Sequence, residues 1–314
     1  MNILITGTAG FIGSHLTRFF LKENNYVYGI DNFITGNKKN IADLFNNPRF
    51  IFLEKNLISC NLSKIPSCDY VFHLASPASP IQYKKYPIET LMVNSIGTKK
   101  VLDFMRKTNS KTFIITSTSE VYGDPLIHPQ TELYWGNVNP NGIRSCYDES
   151  KRFAESLVMT YFRKYGLNVR IARLFNTYGP YMEKNDGRVV SNFILQALQN
   201  KPITIYGDGT QTRSFCYISD MIRGLYQLGV TTNIAGEIIN LGNPNEKTVF
   251  ELAIQIIKMT SSRSKIVYLP IENDDPKKRK PDITKAKNML NWEPNIGLED
   301  GLQKAITYFK KELI

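Results

Sequence analysis

The sequence predicts an α/β fold, a Rossmann-type doubly wound parallel sheet followed by a smaller C-terminal substrate-binding lobe. Three observations carry this. An apolar run, Ile3-Leu4-Ile5, leads into three glycines, Gly7, Gly10 and Gly13, and then into an amphipathic helical stretch. Strand-like and helix-like segments alternate through the first half, which is the signature of repeated βα units and a parallel sheet. The length, 314 residues, accommodates such a domain and a second lobe.

The elements follow in order. Asn2 to Thr6 reads as the first strand and Ile12 to Glu23 as the first helix. Strands are expected at Tyr26 to Ile30, Phe50 to Leu53, Tyr70 to Leu74, Thr112 to Thr116 and Val169 to Leu174. Long helices are expected near Pro87 to Lys107 and Tyr147 to Tyr165. Beyond Arg173 the pattern breaks into turns such as Tyr178-Gly179-Pro180 and Gly207-Asp208-Gly209. Helical stretches return near Val249 to Met259 and Glu299 to Lys311. Residues 1–173 are therefore read as a dinucleotide-binding domain, to which part of 214–242 returns, and 174–314 as mainly a discontinuous substrate lobe.

The glycine loop carries the first chemistry. Glycine allows a tight turn and close backbone approach to a pyrophosphate, while the following helix N-terminus offers N–H donors and a favourable dipole. Asp31, after the second strand, can accept hydrogen bonds from an adenosine ribose, and a carboxylate there disfavours the 2′-phosphate of NADP. The expected cofactor is NAD, with Lys38 and Lys39 as exposed loop charges.

Tyr147 and Lys151 are four residues apart on a helical pattern, which puts them on one face. A free tyrosine, with a pKa of roughly 10, is a poor base at neutral pH. A nearby ammonium and the positive nicotinamide ring favour the tyrosinate. Thr118, at a strand end, can hydrogen-bond a reacting hydroxyl, and Glu120 offers a second acid or base. The competing reading is a serine/threonine turn with a surface glutamate.

Composition narrows the classes. The four cysteines form no Cys-x-x-Cys pair and the three histidines lie far apart, so free thiols, a reducing cytoplasm and no metal are expected. No run is long and apolar enough to span a bilayer, and no leader peptide is read. The net charge of +11 is spread thinly. It suits a basic surface that attracts an anionic small substrate rather than a nucleic-acid module.

With these residues in place, the chain resembles the extended short-chain dehydrogenase/reductases of the NAD-dependent epimerase/dehydratase family, and among them the UDP-glucuronate decarboxylases. The resemblance runs almost end to end. It rests on His73-Leu-Ala-Ser-Pro-Ala-Ser79, Ser117-Thr-Ser-Glu-Val-Tyr-Gly-Asp-Pro125, Cys146-Tyr-Asp-Glu149, Asp186-Gly-Arg-Val-Val-Ser-Asn-Phe193, Gln211-Thr-Arg-Ser-Phe215 and Arg279-Lys-Pro-Asp282. It implies that Thr118, Tyr147 and Lys151 oxidise C4 of the sugar while Glu120, with Ser119, assists at C5 and C6. It implies a cofactor site of Gly7, Gly10, Phe11, Ile12, Gly13, Asp31, Asn32, Phe33, Thr35, Gly36, Asn56, Leu57, Leu74, Ala75 and Ser76, together with Tyr147 and Lys151. Asn176, Val190, Asn192, Tyr206, Gln211, Arg213 and Arg279 would hold the nucleotide sugar, and the enzyme would be a homodimer paired through helices.

The chain also departs from the family pattern. Met92 and Tyr181 stand where relatives carry Lys and Arg, and Asn56 stands for an Asp that contacts adenine. Loss of two cations would suit a neutral sugar, so a 4,6-dehydratase remains an alternative, a C4 epimerase a weaker one, and a silent NAD(H)- or nucleotide-sugar-binding protein a non-enzymatic one. Thr118-Ser119-Glu120 fits the decarboxylases better than the Thr-Asp-Glu of dehydratases.

Overall fold

The computed structural model describes residues 1–185, 187–270 and 276–313. Asp186, which opens one of the resemblance-bearing strings, lies outside them. The frame is a seven-stranded, wholly parallel sheet. Its strands are β1 (Asn2–Thr6), β2 (Tyr26–Asp31), β3 (Phe50–Glu54), β4 (Tyr70–His73), β5 (Thr112–Thr118), β6 (Val169–Leu174) and Ile238–Leu241. They lie in the order Ile238–Leu241, β6, β5, β4, β1, β2, β3. The order reverses between β1 and β4, so the carboxyl ends of these two strands open the crevice in which such sheets bind ligands.

Both faces of the sheet are covered, which is why its strands read as near-continuous apolar runs. All seven residues of β5 are buried. On one face Leu16 and Phe20 of helix α1 (Phe11–Lys22) pack with Met221, Leu225 and Leu228 of the helix Ile218–Val230. On the other, Val101, Leu102 and Met105 pack with Ala154 and Val158 of the helix Ser145–Tyr165. The helix read near 87–107 is not uniform. It runs Pro87–Met92, loosens into a π turn at Val93–Gly97, and resumes as Thr98–Thr108. Such turns displace one residue from the helical register. Here the turn carries Asn94, whose side-chain amide donates to Ser76 Oγ at 3.1 Å and Ser150 Oγ at 2.9 Å.

The second lobe is built from small pieces. Helices Val189–Leu198, Val249–Thr260 and Leu298–Glu312 surround a parallel pair of strands, Ile203–Tyr206 and Ile266–Leu269. Beside them Thr212–Ser214 pairs with Glu246–Thr248 on one side and Lys278–Arg279 on the other. That register sets Arg279 directly against Arg213.

Candidate active site

The lobes enclose a cleft of about 470 Å³ over the carboxyl ends of β1, β4, β5 and β6. At its cofactor end the backbone itself has been cut to shape. Gly7 has φ +75°, and a Cβ there would sit 2.8 Å from the Ala75 nitrogen. A Cβ on Gly13 would lie 2.0 Å from the Gly7 carbonyl oxygen, so only glycine lets α1 start this close to the loop. Asp31 is buried, and its carboxylate accepts from the Ala9 and Phe33 amides at 2.9 and 2.8 Å. Burial raises its pKa, opposed by these bonds. Two oxygens with one bond each retain lone pairs for a ribose. The cradle therefore fits NAD. Gly7, Gly10, Phe11, Ile12, Gly13, Thr35, Leu74 and Ser76 line the cleft. Asp31, Asn32, Phe33, Gly36, Asn56, Leu57 and Ala75 do not reach its lining; Gly36 backs Asp31, where a Cβ would lie 2.9 Å from Oδ1. Lys38 and Lys39 are exposed, as read.

All five residues expected to be catalytic line the cleft: Thr118, Ser119, Glu120, Tyr147 and Lys151. So do all seven expected on the substrate side, Asn176, Val190, Asn192, Tyr206, Gln211, Arg213 and Arg279. Lys151 Nζ donates to the Thr116 carbonyl at 2.9 Å and lies 5.9 Å from the Tyr147 ring. Burial lowers its pKa to about 7, against the pull of Glu155. Tyr147 is pushed up to about 12, again by burial, with a hydrogen bond from the Thr118 side chain opposing. Within the chain alone desolvation dominates at Tyr147.

Two arginines hold Glu120 in its charged form. Arg144 Nη2 donates to its Oε2, and Arg279 Nη2 lies 3.4 Å from the same oxygen. Burial alone would raise its pKa, but the Arg279 and Arg144 guanidinium charges overcome that and hold it well below the usual carboxylate range. Arg279 is 1% exposed, although Lys277 and Lys278 just before it are exposed. It donates to the Ser119 carbonyl, and to the Gly123 carbonyl at 3.0 Å.

The structure adds residues that sequence reasoning missed. Tyr83 stacks its ring on Tyr147, with centroids 5.0 Å apart and planes 4° from parallel. Arg144 closes on Glu120 from the start of the helix Ser145–Tyr165, and Lys84 and Arg188 line the cleft. Tyr83 and Lys84 sit on the short helix Pro80–Lys85, and Arg144 follows an aperiodic stretch, so neither carried a pattern. Two departures change meaning. Met92 is 37% exposed and does not line the cleft, so its difference from relatives removes no charge there. Tyr181 does reach the rim, but Arg18 stands 4.5 Å over its ring and Tyr308 packs at 5.4 Å. Among the described residues no cluster of His, Cys, Asp or Glu could hold a metal, and no helix is long and apolar enough to cross a membrane.

Residues 3–242 match the NAD dependent epimerase/dehydratase family. The chain belongs to that family. It is 49% identical to UDP-glucuronic acid decarboxylase 1 of Arabidopsis thaliana over 314 residues, which are 100% of this chain and 71% of the relative. It is 49% identical to UDP-glucuronic acid decarboxylase 1 of Danio rerio over 99% of this chain and 73% of the relative. Among solved structures, UDP-glucuronic acid 4-epimerase from Bacillus cereus, in complex with UDP-glucuronic acid and NAD, superposes with TM-score 0.90 at 32% identity. That match covers 99% of this chain and 100% of the other. The short-chain dehydrogenase/reductase architecture and the NAD-dependent family read from the sequence both stand.

Proposed function

We infer that the protein is an NAD-dependent UDP-glucuronate decarboxylase, a carboxy-lyase that gives UDP-xylose. The observation that carries this is the buried Arg279 held against Ser119 and Glu120 at the end of β5, in the cleft that Thr118 and Tyr147 also line. Tyr147 and Thr118 mark the place of the C4 hydroxyl. The carboxylate at C6 is two carbons away, and a desolvated guanidinium is the group that holds it best.

The chemistry follows from that placement. Tyr147 takes the proton of the C4 hydroxyl, with Thr118 hydrogen-bonded to both and the Lys151 ammonium favouring the charge that develops. When bound, NAD supplies the acceptor for the C4 hydride and later its source. The ketone at C4 is β to the carboxylate and forms an electron sink, so the C5–C6 bond can break with loss of carbon dioxide. Glu120 remains a carboxylate and orients Arg279 and Arg144. Arg213, beside Arg279 in register, faces the same cleft and suits the diphosphate.

Incubation with UDP-glucuronate and NAD should release carbon dioxide and form a UDP-pentose. A C4 epimerase of the same acid would keep the mass of its substrate. A dehydratase of a neutral sugar loses support once Met92 is seen outside the cleft and Tyr181 held by Arg18. A silent binding protein would not require Thr118, Tyr147 and Lys151 to converge.

The assembly we propose is a cytoplasmic homodimer. Ile88, Leu91, Met92 and Ile96 form an exposed apolar stripe at helical spacing, with Phe153 exposed on the catalytic helix.

A further inference from the structure

Arg279 lies on a strand of only two residues, Lys278–Arg279. Pairing with Thr212–Ser214 fixes one edge of that strand. Its flanks are held by the segment that follows Glu120. Asp124 Oδ1 accepts from the Lys277 amide at 3.1 Å, two residues before Arg279. Gln130 Oε1 accepts from the Lys280 amide at 2.8 Å, one residue after it. The Gln130 backbone continues the stitch, donating to the Lys280 carbonyl at 2.9 Å and accepting from the Asp282 amide at 2.8 Å. The guanidinium of Arg279 meets the same segment, at the Ser119 and Gly123 carbonyls. One stretch of chain, 119–130, thus holds both the backbone and the head of Arg279, and it also carries Glu120.

Gln130 is fully buried, although Ile127 and His128 just before it are exposed. Its Nε2 donates to the Ile127 carbonyl at 2.9 Å. Exchanging the two amide atoms would set donor against donor at Lys280 and acceptor against acceptor at Ile127, so the partners fix the amide in one orientation. The Gln130 carbonyl accepts from Asn240 Nδ2 at 3.0 Å. Asn240 is fully buried on the strand Ile238–Leu241 at the edge of the sheet. It also donates to the Asp282 carbonyl at 3.2 Å and accepts from the Tyr122 hydroxyl at 2.7 Å. A Cβ on Gly242 would lie 2.9 Å from Pro281 Cγ, so its missing side chain lets the Arg279 segment lie against this edge.

We propose that Gln130, with Asp124 and Asn240, positions the Arg279 guanidinium against the substrate carboxylate. This rests on the decarboxylase reading. None of the three lines the cleft, so each acts through the backbone on either side of Arg279. A guanidinium–carboxylate contact depends steeply on geometry, and a displaced Arg279 loses hold of the acid. The nucleotide side is held separately, because the strand of Arg213 also pairs with Glu246–Thr248.

The test uses the full-length enzyme with NAD. Gln130→Met keeps the side-chain volume and leaves the Lys280 amide without its acceptor. Its kcat/KM for UDP-glucuronate should fall about tenfold, the size expected for one buried donor left unpaired. The inhibition constant of UDP should stay within about twofold of wild type, since binding of the nucleotide is untouched. Asp124→Ala, at an exposed position, should lower kcat/KM in the same selective way. Asp124→Asn keeps an acceptor for the Lys277 amide and should recover most of that loss. Should Gln130→Met fail to fold, the two Asp124 variants decide. An unchanged kcat/KM in Gln130→Met, an equal loss of UDP binding, or identical behaviour of the two Asp124 variants overturns the proposal while leaving the decarboxylase intact. No carbon dioxide from wild type with UDP-glucuronate overturns both.

Discussion

Glu155 and Arg173 form a doubly bonded, buried ion pair behind the catalytic strand. Arg173 Nη2 donates to Oε2 at 2.7 Å and Nε to Oε1 at 3.0 Å. Glu155 Oε1 also accepts from Ser117 Oγ at 2.5 Å, one residue before Thr118. The pair thereby joins the catalytic helix to β5 and β6 and places a carboxylate one helical turn from Lys151. Removing one member of a buried pair leaves the other charge stranded. Glu155→Gln is expected to cost about 3–5 kcal/mol of stability, measured by denaturant unfolding. It should also lower the Lys151 titration, because Glu155 is what opposes burial there. The ammonium is present below that pKa and lost above it, so the decline of kcat with rising pH should begin earlier than in wild type. An unmoved profile would remove Glu155 from the control of Lys151.

Tyr147→Phe removes the base and keeps the ring stacked on Tyr83. We expect kcat to fall by about 10²–10⁴-fold, with UDP affinity by calorimetry unchanged within about twofold, since uniform binding is untouched. Near-normal turnover would mean that another group takes the C4 proton.

Met92→Lys separates two readings of that position. Sequence comparison alone suggested that a lysine there would tighten UDP-glucuronate. The structure places the side chain on the outer apolar stripe with Ile88, Leu91 and Ile96. We now expect an unchanged KM and a weaker self-association by sedimentation velocity. A lower KM with an intact assembly would return this residue to the substrate site.

Asp148→Asn should stabilise the fold at neutral pH. Burial, and then the charge of Glu120, raise the folded-state pKa of Asp148, so the native state holds a proton that the unfolded chain releases. Stability therefore falls as pH rises from about 4 towards 8. An asparagine escapes that loss. The melting temperature of the variant should exceed that of wild type by a few degrees at pH 7 and match it near pH 4. Equal melting temperatures at both values would mean that the carboxyl is ionised in the native state.

The legible parts were those in which one residue type has one physical use. Gly7 and Gly13 could be read because no other side chain fits there, and Tyr147 with Lys151 because helical spacing fixes their shared face. The βα alternation gave the sheet for the same reason. Arg144, Tyr83 and Asp148 were not legible. Their surroundings come from tertiary convergence of a short helix, an aperiodic loop and a charge cluster, none of which has a period. Arg279 was legible only through resemblance, since Lys277 to Lys280 alone look like a solvated run and burial is decided by its strand pairing with Thr212–Ser214. The charge state of Glu120 was not legible, because Arg144 and Arg279, invisible as partners in sequence, hold it.

The central claim is tested most directly by mass spectrometry of the products formed from UDP-glucuronate and NAD. The account predicts loss of carbon dioxide and accumulation of a UDP-pentose, identified as UDP-xylose. A product of unchanged mass with inverted C4, or no reaction with this acid alongside loss of water from a neutral UDP-hexose, would contradict it.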